Sequence, residues 1–165
     1  MIHLPLILAA TTIGWSPSSL SGSLGTNYCV AAPNATGMTG VMSAVGSDLV
    51  ADNDLMLIAD DVPANATGFF VVGSAQGFVM NAGGGAGNLC VAGQLGRYRN
   101  AGQVQSSGLE AQFMLQVDLT QTPSPSGSVA ILPGETWNFQ VWHREVTPTG
   151  GATFNFSDGL SIQFR

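Results

Sequence analysis

The chain has 165 residues with four arginines, no lysine and ten carboxylates, so its formal net charge is −6. This excludes a nucleic-acid partner, because phosphate binding needs clustered basic side chains and only Arg97 and Arg99 lie near each other. A transmembrane helix is excluded too, because the longest apolar stretch, residues 4–10, is far shorter than the ~20 residues required. The length suits one domain.

The first 24 residues form an apolar N-terminal extension. Its hydrophobic side chains include Ile2, Leu4, Leu6, Ile7, Leu8 and Ile13. The segment is similar to the apolar part of an export signal, although no Lys or Arg precedes it. If it is retained, these side chains need burial, either in a strand of their own domain or on a neighbouring copy. We therefore predict that residues 1–24 are an export-signal remnant or an assembly strand.

From residue 25 onward, short apolar runs alternate with turn sequences rich in Gly, Pro and Asn. Runs typical of buried strands occupy residues 41–45, 55–59, 69–72, 78–80 and 89–91. Strict alternation of apolar and mostly polar side chains follows at 112–119, 136–143 and 160–165. No segment keeps a helical period. The pattern predicts an all-β domain over residues 25–165, an antiparallel two-sheet β-sandwich that is jelly-roll-like.

The two cysteines, Cys29 and Cys90, make an even count in a chain of secreted character. This favours one disulfide, which would stabilise the fold by about 4 kcal/mol for a loop of this size. Two buried free thiols are the alternative.

Acidic residues cluster before the run at 55–59. Asp48, Asp52, Asn53 and Asp54 fall within seven residues and offer the hard oxygen ligands that Ca²⁺ prefers. The spacing matches no EF-hand. The same side chains could instead bond backbone donors in turns. A structural Ca²⁺ ion is therefore one of two interpretations, and we predict no other cofactor.

Aromatic rings that could stack on sugars are the next chemical feature. Trp142, Tyr98 and Trp15 are the candidates, with Asn and Gln side chains available for hydroxyl groups. Trp137 and Trp142 share one strand and face in opposite directions, so one of them is expected in the core. Packing in the core is the alternative for each ring.

Three Asn-x-Ser/Thr triplets begin at Asn34, Asn65 and Asn155. They fit the N-glycosylation pattern, but Asn-Ala-Thr-Gly is also good turn chemistry.

Catalytic patterns are weak in this sequence. His3 and His143 are the two histidines, and no G-x-S-x-G motif accompanies them. A P-loop is excluded because it requires a lysine. We predict that the chain is not an enzyme.

Four segments carry a resemblance to a known type of domain. They are GTNYC at 25–29, NLCVAGQLGRY at 88–98, GETWNFQVWHRE at 134–145 and NFSDGL at 155–160. Together they resemble a Cys-paired all-β domain found at the ends of large secreted or surface proteins of environmental bacteria. The resemblance implies an extracellular or cell-surface location, pairing of Cys29 with Cys90 and a non-catalytic role. That family has no settled function, so it implies no active residues.

Two functional hypotheses follow. The first is a structural subunit that self-associates into a filament or surface layer, because strand edges without lysine and an apolar N-terminal strand favour edge pairing. The second is a carbohydrate-binding or adhesion module that uses exposed aromatic side chains.

Overall fold

The computed structural model describes residues 23–165, and this range is all-β, as predicted. Its strands are β1 (Thr26–Tyr28), β2 (Val41–Gly46), β3 (Leu55–Asp60), β4 (Thr67–Gly73), β5 (Ala75–Val79), β6 (Leu89–Ala92), β7 (Gly96–Arg97), β8 (Gln105–Ser106), β9 (Phe113–Val117), β10 (Thr122–Ser124), β11 (Gly127–Val129), β12 (Thr136–Val146), β13 (Ala152–Phe156) and β14 (Gly159–Gln163). Short 3₁₀ turns lie at Val50–Asp52 and Ala82–Gly84. Among these residues there is no helix with the length and apolar character needed to cross a membrane.

Antiparallel pairing arranges the strands into two sheets and two ribbons. The larger sheet has the order β1-β14-β12-β4-β7, and it is completed by β13 beside β12 and β8 beside β4. The smaller sheet has the order β2-β3-β9, and the ribbons are β5-β6 and β10-β11. Strand β12 pairs with β4 along one side and with β13 and β14 along the other. It is therefore a central strand whose side chains are positioned by neighbours on both sides.

The main hydrophobic core lies between the two sheets. Leu57 and Leu115 come from the smaller sheet, and Phe139 and Val141 come from β12 in the larger one. All four are buried, and burying a side chain of this size contributes about 1.5–3 kcal/mol. The two sheets thus share one core, which agrees with the predicted sandwich. The jelly-roll-like connectivity stays a prediction.

Where apolar and polar residues alternate strictly, the sequence predicts correctly which side chains are buried. Phe113, Val117, Leu160, Ile162 and Phe164 are all buried. Their polar neighbours in sequence face away from the core, because successive residues of a strand point to opposite faces.

The run at 78–80 differs from its prediction as a buried strand. Phe78, Val79 and Met80 are each more than half exposed, because they lie on the β5-β6 ribbon outside the shared core. The ribbon also explains why Asn138 and Gln140 are buried on the outer face of β12. Gln140 can be buried there because residues 88–90 supply hydrogen-bond partners, whereas Asn138 donates to the Gly73 carbonyl of β4 and its Oδ1 atom has no partner among the described residues.

The predicted disulfide is present and joins Cys29 to Cys90. It connects the end of β1 to β6 across 61 positions of sequence, so it fastens the ribbon to the larger sheet. The Tyr28 hydroxyl strengthens this attachment by donating a hydrogen bond of 2.8 Å to the Cys90 carbonyl.

The candidate assembly residues lie outside the described range. These are Ile2, Leu4, Leu6, Ile7, Leu8 and Ile13. Of the predicted 24-residue extension, the structure shows only its end, where the Leu24 amide donates to the Ala44 carbonyl at 2.9 Å.

Candidate functional site: an aromatic groove on the outer face

A row of aromatic side chains crosses the outer face of the larger sheet. The strand register sets Phe69 of β4 beside Trp142 of β12, and Trp142 beside Phe156 of β13. Phe69 and Trp142 stack with ring centroids 4.8 Å apart, and the Phe154 ring lies 5.6 Å beyond Trp142. Phe154 meets Phe156 edge to face at 6.2 Å. Three strands supply these rings, so the row exists only when the sheet is assembled.

The outward direction of these rings follows from what their neighbours do. Phe70 and Val141 belong to the core between the sheets, so the adjacent Phe69 and Trp142 must point to the opposite face. Both outward rings are partly buried, because they pack on each other and on Phe154. The row is therefore a rigid, half-open apolar surface.

The row lines two neighbouring depressions, which together we call the aromatic groove. The first has a volume of about 230 Å³ and the second about 400 Å³. Trp142 and Phe154 line both of them. Other residues lining the first include Phe69, Val71, Leu89, Leu95 and Arg97, and the second is completed by Arg144, Glu145, Ala152 and Thr153.

The segment after β5 forms one wall of the groove by approaching Phe154 closely. A Cβ atom at Gly85 would overlap the Phe154 ring, so glycine lets this segment approach the ring without displacing it. The adjacent Ala86 amide donates to the Phe154 carbonyl at 2.8 Å. The glycine run at 83–85, which the sequence presents as a flexible turn, therefore closes one side of the groove.

Residues 88–90 form another part of this wall, and Gln140 holds them in place. Its Nε2 group donates to the carbonyls of Asn88 at 2.8 Å and Ser157 at 2.7 Å. Its Oε1 atom accepts from the Cys90 amide at 2.9 Å. With the disulfide, these bonds fix the segment that carries Leu89 into the first depression.

Three of the four arginines lie on the same face as the aromatic row. Arg97 pairs with Val71 across β4 and β7, and the Arg99 guanidinium lies 5.6 Å from the Phe69 ring centroid. Arg144 follows Trp142 by two residues on β12 and shares its face. Within residues 23–165, the fourth arginine, Arg165, forms the one ion pair, with Asp48. The outer face is thus locally cationic in a chain of net charge −6.

The sugar-stacking candidates have different positions. Trp142 lies in the groove, whereas Trp15 falls outside the described residues. Tyr98 is 2% exposed and packs in the core, and burial raises the pKa of its hydroxyl. The expectation that Tyr98 serves as a stacking platform is therefore wrong. The alternation Arg97-Tyr98-Arg99 contains the signal, because outward arginines place the intervening tyrosine inward.

The acidic residues proposed for Ca²⁺ point to separate partners. Hydrogen bonding to Arg165 lowers the pKa of the Asp48 carboxyl, and Asp52 accepts from the Ser47 hydroxyl. Asn53 Oδ1 accepts from the Leu119 amide at 2.7 Å, and Asp54 receives a long 3.4 Å contact from Gln116. In the described part of the chain, no three His, Cys, Asp or Glu side chains converge. The four side chains therefore have separate partners, of which only Ser47 lies in the same turn, and the others fasten this segment to distant parts of the chain.

Two of the three glycosylation candidates are buried. Asn34 donates to the Asp61 carbonyl at 2.6 Å and accepts from Thr36, which is the turn chemistry considered as the alternative. Asn155 donates to the Pro33 carbonyl at 3.1 Å and is fully buried. Neither is accessible in the folded domain, whereas Asn65 is exposed on a turn.

His143 lies on the inner face of β12 and is fully buried. Neither ring nitrogen has a hydrogen-bond partner among the described residues. Burial lowers the pKa of its imidazole, and the nearby Glu145 carboxylate opposes this shift. Glu145 itself accepts from the Ala35 amide at 2.9 Å and from Asn155 at 3.2 Å. His143 is therefore enclosed in the fold, whereas Glu145 lines the second depression with both carboxylate oxygens already accepting hydrogen bonds.

Sequence reasoning missed Phe69, Phe154 and Phe156. The sequence predicts Phe69 in a wholly buried run and predicts no strand at 152–156, although a short turn at 147–151 joins that segment to β12 in a hairpin. Periodicity alone does not show which strands pair. Strand β13 follows β12 directly in a hairpin, whereas the pairing that sets Phe69 beside Trp142 joins β4 and β12, which are far apart in sequence.

No protein-family model matches this chain, and no curated protein or solved structure is significantly similar to it.

Proposed function

We propose that this protein is a non-enzymatic, extracellular binding domain that recognises saccharide chains through the aromatic groove. The observation that carries the proposal is the row Phe69–Trp142–Phe154, whose rings line two adjoining depressions. Aromatic faces stack on the apolar faces of sugar rings, and rigid rings lose little conformational entropy on binding.

The dimensions of the groove support a chain-like ligand. The first depression, at about 230 Å³, is smaller than the roughly 300–1,000 Å³ of sites for drug-sized molecules. It suits a single ring. Because Trp142 and Phe154 also line the second depression, two consecutive rings of one chain can occupy adjoining positions.

The chemistry of the lining supports binding without catalysis. The first depression is lined by aromatic rings, aliphatic side chains and Arg97. The second contains Glu145, whose two carboxylate oxygens each accept a hydrogen bond inside the fold. These groups position a ligand but do not supply an activated nucleophile.

The extracellular assignment rests on the disulfide. Cys29–Cys90 joins the end of β1 to β6, and structural disulfides persist in oxidising compartments. The resemblance to a terminal domain of secreted and surface proteins agrees with this assignment.

Saccharide binding can be measured on the full chain by affinity electrophoresis in gels containing soluble polysaccharides, followed by calorimetry with the retained polymer. Trp142→Ala and Phe154→Ala should each weaken binding about ten-fold, because each removes a stacking surface shared by both depressions. Phe78→Ala is the matched control, since it removes an exposed ring that does not line the groove. Thermal denaturation of each variant checks that the fold is retained.

Wild-type protein that migrates identically in every polysaccharide gel would reject the proposal. Binding that Trp142→Ala and Phe154→Ala leave intact in folded protein would reject it as well.

Self-association is a second candidate function, and the free edge of β9 favours it. Met42 and Ala44 direct backbone groups away from β3, where they bond Asp158, Asn27 and Leu24. In an antiparallel sheet, successive residues of a strand direct their backbone N–H and C=O groups alternately toward one side of the strand and the other. The same alternation, carried across β3 by the strand register, applies to β9 from Phe113 to Val117.

By this alternation, the backbone groups of Met114 and Gln116 face outward from β9. Among the described strands, β9 pairs with β3 alone. An extended apolar segment, such as residues 2–13 of another copy, could add to this edge by β-augmentation.

Adding a lysine at the edge, by Gln116→Lys, should lower the mass of any assembly measured by light scattering. Ala130→Lys adds the same charge at an exposed residue outside the strands and serves as control. A wild-type chain that is monomeric at all concentrations would eliminate this candidate.

A further inference from the structure

The arginine side chains are distributed unevenly over the molecule, and the packing of the aromatic row does not account for their positions. Arg97 lines the first depression, Arg144 lines the second, and Arg99 lies against Phe69 at the end of the row. None of the three has a carboxylate partner within residues 23–165, whereas Arg165 is paired with Asp48. Each depression therefore contains one arginine that is free to bind a ligand.

We propose that the groove binds an acidic polysaccharide, in which two consecutive sugar rings that each carry a carboxylate occupy the two depressions. This inference rests on the proposed saccharide-binding function and specifies its ligand class. The guanidinium is a planar fork whose donors match the two oxygens of a carboxylate, so Arg97 and Arg144 suit one acidic group each. The shared wall of Trp142 and Phe154 would contact both rings.

Charge complementarity distinguishes this ligand from a neutral one. The chain has ten carboxylates but only four cationic side chains, and three of the four lie on this face. Glu145 is the one carboxylate in the lining, and its oxygens already accept bonds from Ala35 and Asn155. At physiological salt, charges act over about 8 Å, so local arginines outweigh the distant negative charge.

The test compares one polymer in two charge states, polygalacturonate and its methyl ester. Binding to the full chain is measured by calorimetry at 0.15 M salt, where charges are screened beyond about 8 Å. We expect the acid form to bind and the ester to bind at least ten-fold more weakly. Arg97→Gln and Arg144→Gln should each weaken binding of the acid form about two- to five-fold, and the double substitution should combine the losses.

Arg165→Gln is the matched control because it removes the same charge from a residue outside both depressions. It should leave the affinity for polygalacturonate unchanged. Raising the salt concentration should weaken binding of the acid form by wild type more than by the double variant, since fewer ionic contacts remain to be screened.

Equal binding of polygalacturonate and its ester would overturn the acidic specificity while leaving saccharide binding in place. Loss of binding in Arg165→Gln equal to that in Arg97→Gln would also overturn it, because the effect would then be one of overall charge. Binding to neither polymer, together with binding to a neutral polysaccharide that Trp142→Ala abolishes, would reject the acidic ligand alone. The absence of any saccharide binding would reject both proposals.

Discussion

The two halves of β12 show how one strand provides both the core and the candidate site. In the half that holds Phe139 and Gln140, both faces are buried, one by the smaller sheet and the other by residues 88–90. In the half that begins at Trp142, the outer face is partly open and the aromatic groove begins. The extent of the covering segment, rather than the strand itself, decides where a ligand can reach the sheet.

The largest expected effect is on the free energy of unfolding, which should fall more for a substitution in the core half of β12 than for one in the groove half. Phe139→Ala should lower the free energy of unfolding by about 3–5 kcal/mol, because it leaves a cavity in the shared core. Trp142→Ala should cost less, since its ring already contacts solvent in the groove. Urea denaturation of both variants measures the difference. Equal costs would show that the groove half is packed as firmly as the core half.

The boundary between the halves can be tested at Gln140. Gln140→Leu removes three hydrogen bonds and leaves the Cys90 amide and the carbonyls of Asn88 and Ser157 without this partner. Unfolding free energy should fall by about 2–3 kcal/mol, because buried polar groups are then left unsatisfied.

Gln140→Leu should also affect the groove beyond its cost in stability. Amide hydrogen exchange should rise at residues 88–90, and polysaccharide affinity should fall although no ring of the aromatic row is altered. Asn27→Leu is a useful comparison, because it removes side-chain hydrogen bonds to Met42 and Asp158 away from the groove. Unchanged exchange at residues 88–90 would show that the disulfide alone holds the wall.

Local sequence patterns were sufficient to predict which side chains of a strand are buried, but not which strands lie next to each other. The alternation around Phe113 and around Leu160 predicted which side chains are buried, because strand geometry alone decides it. The outward direction of Trp142 followed from the same rule once Trp137 was placed in the core. Phe69 could not be connected to Trp142, since their contact depends on pairing between β4 and β12, which are far apart in sequence.

Polar residues were the least predictable part of the sequence. Asn155 fits a glycosylation triplet, yet it is buried because it bonds the Pro33 carbonyl from a distant loop. The sequence places Asp48 in a possible calcium cluster, but its carboxylate accepts two hydrogen bonds from Arg165. In both cases the partner lies more than 100 positions away in sequence. Short spacing motifs cannot anticipate such a partner.

The smallest expected effect concerns the inner face opposite the groove. Burial lowers the pKa of His143 below its ordinary 6.5, so the folded protein resists a proton that the unfolded chain accepts. The unfolded state therefore binds more protons, and the free energy of unfolding should fall as the pH drops from about 6.5 toward the lowered pKa. Above about pH 6.5 this contribution to stability is fully present.

His143→Leu removes this titration, so its unfolding free energy should change less than that of wild type between about pH 7.5 and 5.5, on either side of the ordinary histidine pKa. The pKa of Asp158 is raised by burial, which acts with the opposite sign, but both proteins contain this residue and the comparison cancels it. Parallel pH profiles for the two proteins would show that His143 accepts its proton as easily in the folded state. In that case the inner face of the Trp142 half would be open to water, and the contrast between the two faces of β12 would not hold.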